Sequence, residues 1–347
     1  MKYTTLPNTN IKVSKICLGT MTFGEQNTEV EAHEQLNYAA DQGVNFIDTA
    51  ELYSVPGRKE TQGLTEKYIG TWLKDQKRED FVIATKVAGP NPGLTYIREN
   101  LGFSKEAIHE ALHKSLKRLQ TDHVDLYQLH WPERKANFFG KRNFEISLDD
   151  QWDDNFLEIL ETLNALIREG KIRQIGLSNE SSWGVMHYSH LAKIHHLQNH
   201  ITIQNAYSLL NRTFEINLAE VAYRENMGLL AYSPLAFGAL SGKYLNNTPK
   251  DARMSLYPQM KKMRAYLGEQ AVFATKKYQA LAQKNNLSLS QLALAFVNQR
   301  PFVTSNIIGA TTMEQLKENI GSYNIVLSEE ILQTIDQINE LQPNPAP

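Results

Sequence analysis

FVIATKVAGPNPGLTYIRENLGFSKEAIHEALHKSLKRLQTDHVDLYQLH (81–130) holds two short apolar runs separated by a long amphipathic stretch. FVIATK (81–86) and VDLYQLH (124–130) have the length and apolar density of buried strands. SKEAIHEALHKSLKRLQ (104–120) opens on Ser104, whose hydroxyl suits a helix N-cap, and sets apolar residues at 108, 112, 116 and 119. Strand, helix and strand in that order make a parallel pair joined by a helical crossover.

The same unit recurs on both sides. ICLG (16–19), VNFID (44–48), IRQIGLS (172–178), ITIQN (201–205), LLAYS (229–233) and SNIIGA (305–310) bring the strand candidates to eight. Helical spacing fills the intervals, as in TEVEAHEQLNYAADQG (28–43), with a Thr N-cap and a closing Gly. NFLEILETLNALIREG (155–170) and QAVFATKKYQALAQKNN (270–286) read the same way. Eight repeats predict an α/β fold of the (β/α)₈ TIM-barrel type. A doubly wound open sheet is the weaker choice, because no glycine fingerprint follows the first strand. KYTTLPNTNIKVSKI (2–16) predicts a small hairpin with a Pro-Asn turn, placed to plug the lower mouth of the barrel. No linker or low-complexity segment divides the chain, so one domain over residues 1–347 is expected.

Composition narrows the functional classes. A net charge of −2 shows no bias toward nucleic acid or a bilayer surface. The single cysteine, Cys17, rules out an internal disulfide and a cysteine-based metal site, and its neighbours KICLG place it in a buried strand. MKYTTLPNTN lacks the apolar core of a signal peptide, and no apolar run reaches the roughly 18 residues of a membrane span. A cytoplasmic protein is the expectation, with its oligomeric state open. His187, His190, His195, His196 and His200 cluster in one helix and its exit, but no carboxylate or cysteine completes a metal set, and surface histidines are expected. PQMKKMRAYLGEQ (258–270) is basic and amphipathic, which suits a flap or a solvated helix.

Four side chains stand at or just after the ends of consecutive strands. Asp48 and Tyr53 lie five apart in GVNFIDTAELY, Lys86 ends FVIATK and His130 ends LYQLH. A phenol with a pKa of about 10 rarely gives up its proton near neutrality, and an adjacent ammonium lowers that value. Lys86 can supply the charge, with Asp48 to hold it and His130 to orient a substrate oxygen. Together they suit protonation of an oxygen that turns negative during reaction, such as a carbonyl receiving hydride. Taken singly, each has an ordinary structural role; the combination is what points to chemistry. Stretches 53–64, 88–104 and 131–153 each follow a strand end, where barrel active sites form, and are expected to face the substrate. Trp131 is expected at the pocket rim.

There is no GxGxxG and no Walker loop, which argues against a Rossmann site but not against a dinucleotide across the top of a barrel. SNIIGATTMEQLKENI (305–320) has a glycine, Gly309, that permits close backbone approach. Thr312 and Gln315 have capping-box spacing, so a helix begins there, and helix N-termini attract phosphate.

These segments resemble the aldo-keto reductases. GVNFIDTAELY, IATKV and LYQLHWP are similar to the segments that carry that family's Asp, Tyr, Lys and His, and the likeness runs from the first strand to about residue 340. LGTMTFGEQN and YSVPGRKETQGLTE resemble bacterial members of the branch that also holds the potassium-channel β subunits. The resemblance implies an NADP(H)-dependent oxidoreductase acting on a small-molecule carbonyl, with Tyr53 as proton donor. It implies cofactor contacts at Gly19, Thr20 and Met21, and Ser178, Asn179 and Gln204 at the nicotinamide carboxamide. Tyr232 would stack beneath the nicotinamide. Ser233, Pro234, Leu235, Gly238, Leu240, Gly242 and Lys243 would run along the pyrophosphate. Arg253 and Gln315 would approach the ribose 2′ end, with Gly309 and Thr311 near them and Glu318 and Asn319 at the adenine. Some members have Lys and Arg at the positions of Gly309 and Gln315; here Lys243 and Arg253 would replace those charges, which implies NADPH over NADH. Two other functions fit the residues less fully. One is a cofactor-binding, redox-sensing partner with little turnover, like the channel β subunits. The other is a hydrolase or isomerase on the same barrel, which would need no cofactor.

Overall fold

The computed structural model describes residues 1–347, the side chains of Lys262 and Met263 excepted. Strands β1 (Tyr3–Thr5) and β2 (Lys12–Ser14) pair antiparallel as a hairpin. Eight more follow: β3 (Ile16–Gly19), β4 (Phe46–Asp48), β5 (Val82–Val87), β6 (Val124–Leu129), β7 (Ile172–Ser178), β8 (Thr202–Ala206), β9 (Gly228–Tyr232) and β10 (Val303–Ile308). They close into a parallel barrel in chain order, with β10 returning to β3. This is a (β/α)₈ barrel with an N-terminal hairpin. All eight expected strands are present, with small shifts at the ends. Ser233 drops out of β9 because its φ of 54° is incompatible with a strand.

The crossover helices start where the caps predict. Thr28 closes a full capping box with Glu31 ahead of the helix Glu29–Asp41, and the chain leaves through Gly43 at φ 81°. Ser104 accepts from Ala107 N–H at the head of Lys105–Leu119. Helices Phe156–Arg168 and Glu269–Lys284 occupy the other expected spans.

Strand alternation sorts the two faces of the barrel wall. Outward residues such as Ile47, Ile83, Tyr127, Ile175 and Leu229 pack under helix residues including Leu36, Ile108, Leu112 and Leu163. Inward residues Cys17, Phe46, Ala84, Leu126 and Leu230 meet Leu6, Ile11 and Val13 of the hairpin. The hairpin is therefore the floor of the barrel. Burying a leucine as fully as Leu6 stabilises by about 1.5–3 kcal/mol.

Going up the same inward rows, the chemistry changes. Phe46 gives way to Asp48, Ala84 to Lys86, Leu126 to Gln128 and then His130, Thr202 to Gln204, and Leu230 to Tyr232. An apolar lower interior thus ends in a polar top layer. The stretches 53–64, 88–104 and 131–153 leave the tops of β4, β5 and β6 and are largely irregular. The last two converge: Leu94, Tyr96, Ile97, Trp131, Phe138 and Phe139 pack in one apolar cluster with Leu52, just ahead of the first.

Two expectations need correction. His200 is not a surface residue; it is 2% exposed behind Tyr188, while His190, His195 and His196 are exposed and His187 pairs with Asp154 at 2.5 Å. The 258–270 segment is not a solvated helix. Its helix is only Met260–Met263, and Met260, Arg264 and Tyr266 are buried. The side chains of Lys262 and Met263 lie outside the described residues. Among the described residues no helix is long and apolar enough to cross a membrane.

Candidate active site

Parallel register brings the four sequence-selected side chains together at the barrel top. Asp48 ends β4 and Lys86 lies in the adjoining β5. Lys86 Nζ donates to Asp48 Oδ2 at 2.7 Å and to the Thr49 carbonyl at 2.7 Å, with both charged side chains buried. The same ammonium stands 5.0 Å from the centroid of the Tyr53 ring. That ring meets His130 edge-on, with centroids 5.7 Å apart. The Trp131 ring centroid is 4.9 Å from the imidazole's and Trp131 is 3% exposed, so it is a buried wall and not a rim residue.

Burial governs the titration of this group. It pushes the Tyr53 phenol up, with Lys86 pulling it down and Asp48 adding to the rise. The expectation of a phenol made more acidic by its lysine is thus reversed in sum. Burial also opposes the Lys86 charge, but the Asp48 carboxylate and the phenol outweigh it and hold the ammonium above its ordinary value. His130 is driven well below 6.5, by burial first and then by Lys86. The site therefore contains a protonated phenol, a charged lysine and a neutral imidazole whose Nδ1 finds no partner among the described residues.

Gln204 also joins the site through Asp48. Its Nε2 donates to Asp48 Oδ1 at 2.7 Å, and Gln128 Nε2 reaches the same oxygen at 3.4 Å. The amide thus supports the carboxylate. Ser178 and Asn179 do stand together at the end of β7: Ser178 Oγ donates to Gln204 O, and Asn179 Nδ2 donates to His130 O, each at 2.9 Å. Asn179 has φ 56°. Its Oδ1 accepts from Tyr232 OH at 2.6 Å, and Tyr232 OH accepts from Arg264 Nη2 at 2.6 Å. The 258–267 segment therefore packs onto Tyr232, the ring expected beneath the nicotinamide.

Most of the other expected cofactor residues lie in or just after the turns that follow β3, β9 and β10. Gly19 leaves no room for a side chain, since a Cβ would lie 2.7 Å from Ile307 Cγ2. Thr20 Oγ1 donates to Asp48 O at 2.8 Å, and Met21 O accepts from Val55 N–H at 2.9 Å, so this turn braces the Tyr53 loop. After β9 come Ser233, Pro234 and Leu235, then Ala236, Phe237 and Gly238 at φ 48°, 54° and 91°. Leu240 is buried and Gly242, at φ 80°, closes the turn. Lys243 is pushed down by burial and then by the like charge of Arg253. Arg253 is drawn inward with its guanidinium 5.3 Å from the Phe237 ring centroid. Lys243, just past a turn rich in left-handed residues, and Arg253, at the start of the helix Arg253–Leu256, form an anion-attracting edge.

After the adjoining strand β10, the helix Met313–Gly321 starts at Thr312, whose hydroxyl accepts from Gln315 N–H. Only half of the expected box forms, because Gln315 Oε1 accepts from Thr311 N–H at 3.1 Å. Gln315 is thus committed to the Thr311 turn. Gly309 has open space, with nothing nearer to a Cβ than Gly19 O at 3.8 Å. Asn319 Nδ2 donates to Gly309 O at 3.0 Å, and Glu318 accepts from Ser288 Oγ at 2.5 Å. An open glycine, a helix N-terminus and paired cations fit the phosphates of a dinucleotide. Sequence reading missed Gln128, Glu51 and Arg264; the signal for the first two was a polar residue inside or beside an apolar run, and for Arg264 only the basic pattern of 258–270.

Comparison with known proteins agrees with this arrangement. The aldo/keto reductase family model matches residues 15–340. The chain is 50% identical to protein Tas of Escherichia coli (strain K12) over the full length of both. It is 36% identical to the uncharacterized oxidoreductase YrpG of Bacillus subtilis (strain 168), over 99% of this chain and 97% of that one. A protein of Schizosaccharomyces pombe named as a candidate voltage-gated potassium channel β subunit is 30% identical, over 97% of this chain and 93% of its own. The barrel, its polar top layer and these matches lead to one conclusion: the chain belongs to the aldo/keto reductase family of oxidoreductases.

Proposed function

We propose that the protein reduces aldehyde or ketone carbonyls to alcohols with NADPH, Tyr53 acting as the proton donor. The observation that carries this reading is the Asp48–Lys86–Tyr53–His130 group, with Lys86 Nζ 2.7 Å from Asp48 and 5.0 Å from the Tyr53 ring centroid. When bound, the nicotinamide supplies hydride to the carbonyl carbon. His130, neutral, hydrogen-bonds the carbonyl oxygen and sets its direction. The Tyr53 hydroxyl then transfers its proton to the oxygen as negative charge grows there. Lys86 stabilises the phenolate left behind, and Asp48, held by Gln204, keeps Lys86 charged and in place. Ser178 and Asn179 orient the carboxamide, and Lys243 and Arg253 meet the phosphates. The apolar cluster of Leu94, Tyr96, Trp131, Phe138 and Phe139 favours a flat or apolar group on the carbonyl.

A carbonyl panel followed by NADPH oxidation at about 340 nm tests the activity. Tyr53→Phe should lower turnover by about a hundredfold or more with little change in cofactor affinity. Lost cofactor binding with unchanged turnover of the bound enzyme would assign the proton to another residue. Tight NADPH binding with no turnover across the panel would favour a redox-sensing partner role instead, the reading that the relative named for a channel subunit suggests.

A further inference from the structure

The turn that carries Tyr53 holds a second carboxylate. Glu51 is 1% exposed and lies between Asp48 and Tyr53 in sequence. Its Oε2 accepts from Arg98 Nη1 at 2.6 Å and its Oε1 from Ala88 N–H at 2.7 Å. Its backbone is held as firmly. Glu51 N–H donates to Lys86 O at 3.2 Å, and Glu51 O accepts from Gln62 Nε2 at 2.6 Å. Arg98 is itself buried, and its Nη2 donates to Ala88 O at 3.3 Å. Burial pushes the Glu51 carboxyl up, and Arg98 works against that rise.

Two charges taken this far from water are costly to desolvate, and apolar residues of like volume often stabilise a core as well or better. Arg98 Nε has no partner among the described residues, which adds to the cost. What the pair does provide is connection. Glu51 belongs to the Tyr53 turn, Ala88 follows Lys86 at the exit of β5, and Arg98 sits in the 88–104 stretch. Its neighbours Tyr96 and Ile97 pack in the cluster with Trp131, which flanks His130.

We infer that Glu51 and Arg98 are a positioning pair that locks the Tyr53 turn to the 88–104 loop, so that seating a carbonyl in the loop also aims the phenol. This rests on the reading of Tyr53 as proton donor. The pair touches no reacting atom and acts through the two segments it joins. A misplacement of about 1 Å at the reacting centre is enough to cost about a hundredfold in rate.

The test uses the double variant Glu51→Gln/Arg98→Met, which leaves neither charge alone in the interior, beside Arg98→Lys and Tyr53→Phe. NADPH affinity comes from fluorescence titration. Then kcat and KM are measured per bound cofactor with benzaldehyde, or with the panel carbonyl turned over fastest. The double variant should lose about tenfold or more in kcat and raise the carbonyl KM, with NADPH Kd within about twofold of wild type. Arg98→Lys, which keeps the charge and loses the fork, should fall between the two and stands in if the double variant does not fold. Carbonyl kinetics within about twofold of wild type in these variants, even with a lowered Tm, would overturn the inference, as would an NADPH Kd weakened as much as kcat. Wild-type turnover by Tyr53→Phe, or no turnover by the wild type, would overturn the reading beneath it as well. Dependence on Tyr53 with unaffected pair variants would overturn this inference alone.

Discussion

Tyr53 holds its proton tightly, and in this chemistry that is compatible with its task. A growing alkoxide is far more basic than a phenolate, so a phenol whose pKa is raised by burial still gives its proton to it. Lys86 limits the rise and waits for the negative charge. His130, held well below 6.5 by burial, has no charge to lose as pH rises through that value. The kcat for carbonyl reduction should therefore stay flat between about pH 6 and 8 and decline only in the alkaline range where the phenol ionises. A pH profile under saturating cofactor checks this. An acid limb centred near 6.5 that disappears in His130→Gln would mean that the imidazole titrates after all. The four side chains were legible in sequence because their chemistry is specific and each follows an apolar strand. The direction of the Tyr53 shift was not, since it depends on how much wall the fold puts round the ring. The bond from Gln204 to Asp48 was hidden for a different reason. An amide carries both a donor and an acceptor, and only the fold decides that its Nε2 turns to Asp48.

The turn after β9 shows what strand and helix patterns leave out. YSPLAFGALSGKY announces its glycines, but nothing in it says that Ser233, Ala236 and Phe237 also take positive φ. A β-carbon disfavours that region, so such residues are held there by their surroundings and are concentrated where a ligand must be approached. The 258–267 segment was similarly opaque. Its basic, amphipathic pattern suits a solvated helix, and only tertiary packing puts Arg264 on Tyr232. Gly238 offers a direct test of the turn. An added Cβ would sit 2.7 Å from Lys243 Cε at a backbone φ of 91°. Lys243 can swing away, but the backbone strain stays at about 1–2 kcal/mol. Gly238→Ala should weaken NADPH binding by about fivefold to thirtyfold in a fluorescence titration if the turn is read out in full. In the wild type the Lys243–Arg253 edge should make NADPH bind more tightly than NADH; equal constants for the two would remove the role given to that edge.

At the scale of the molecule, the site and the stability of the barrel are separable, and one histidine allows the separation to be measured. His200 lies just before β8, at the end of the barrel opposite the reacting groups. The helix Ser182–Ile194 and the barrel wall enclose it, and its ring meets Tyr188 edge-on at 4.7 Å. Neither ring nitrogen has a partner among the described residues, and burial lowers its pKa from 6.5 to about 3. The unfolded chain takes up this proton as pH falls below 6.5, while the folded chain refuses it until about 3. The contribution to stability is therefore complete above 6.5 and is lost progressively down to about 3, at about 1.4 kcal/mol per pH unit. Carboxylates and His130 titrate in overlapping ranges, so the wild-type curve alone does not isolate the effect. His200→Phe does, because it breaks no hydrogen bond and keeps a ring against Tyr188. Between about pH 6.5 and 4 the variant's Tm should fall less steeply than the wild type's, while carbonyl turnover at neutral pH stays unchanged. Parallel Tm curves for the two proteins would mean that the folded chain accepts the proton at His200, and that the ring is less enclosed than its 2% exposure indicates.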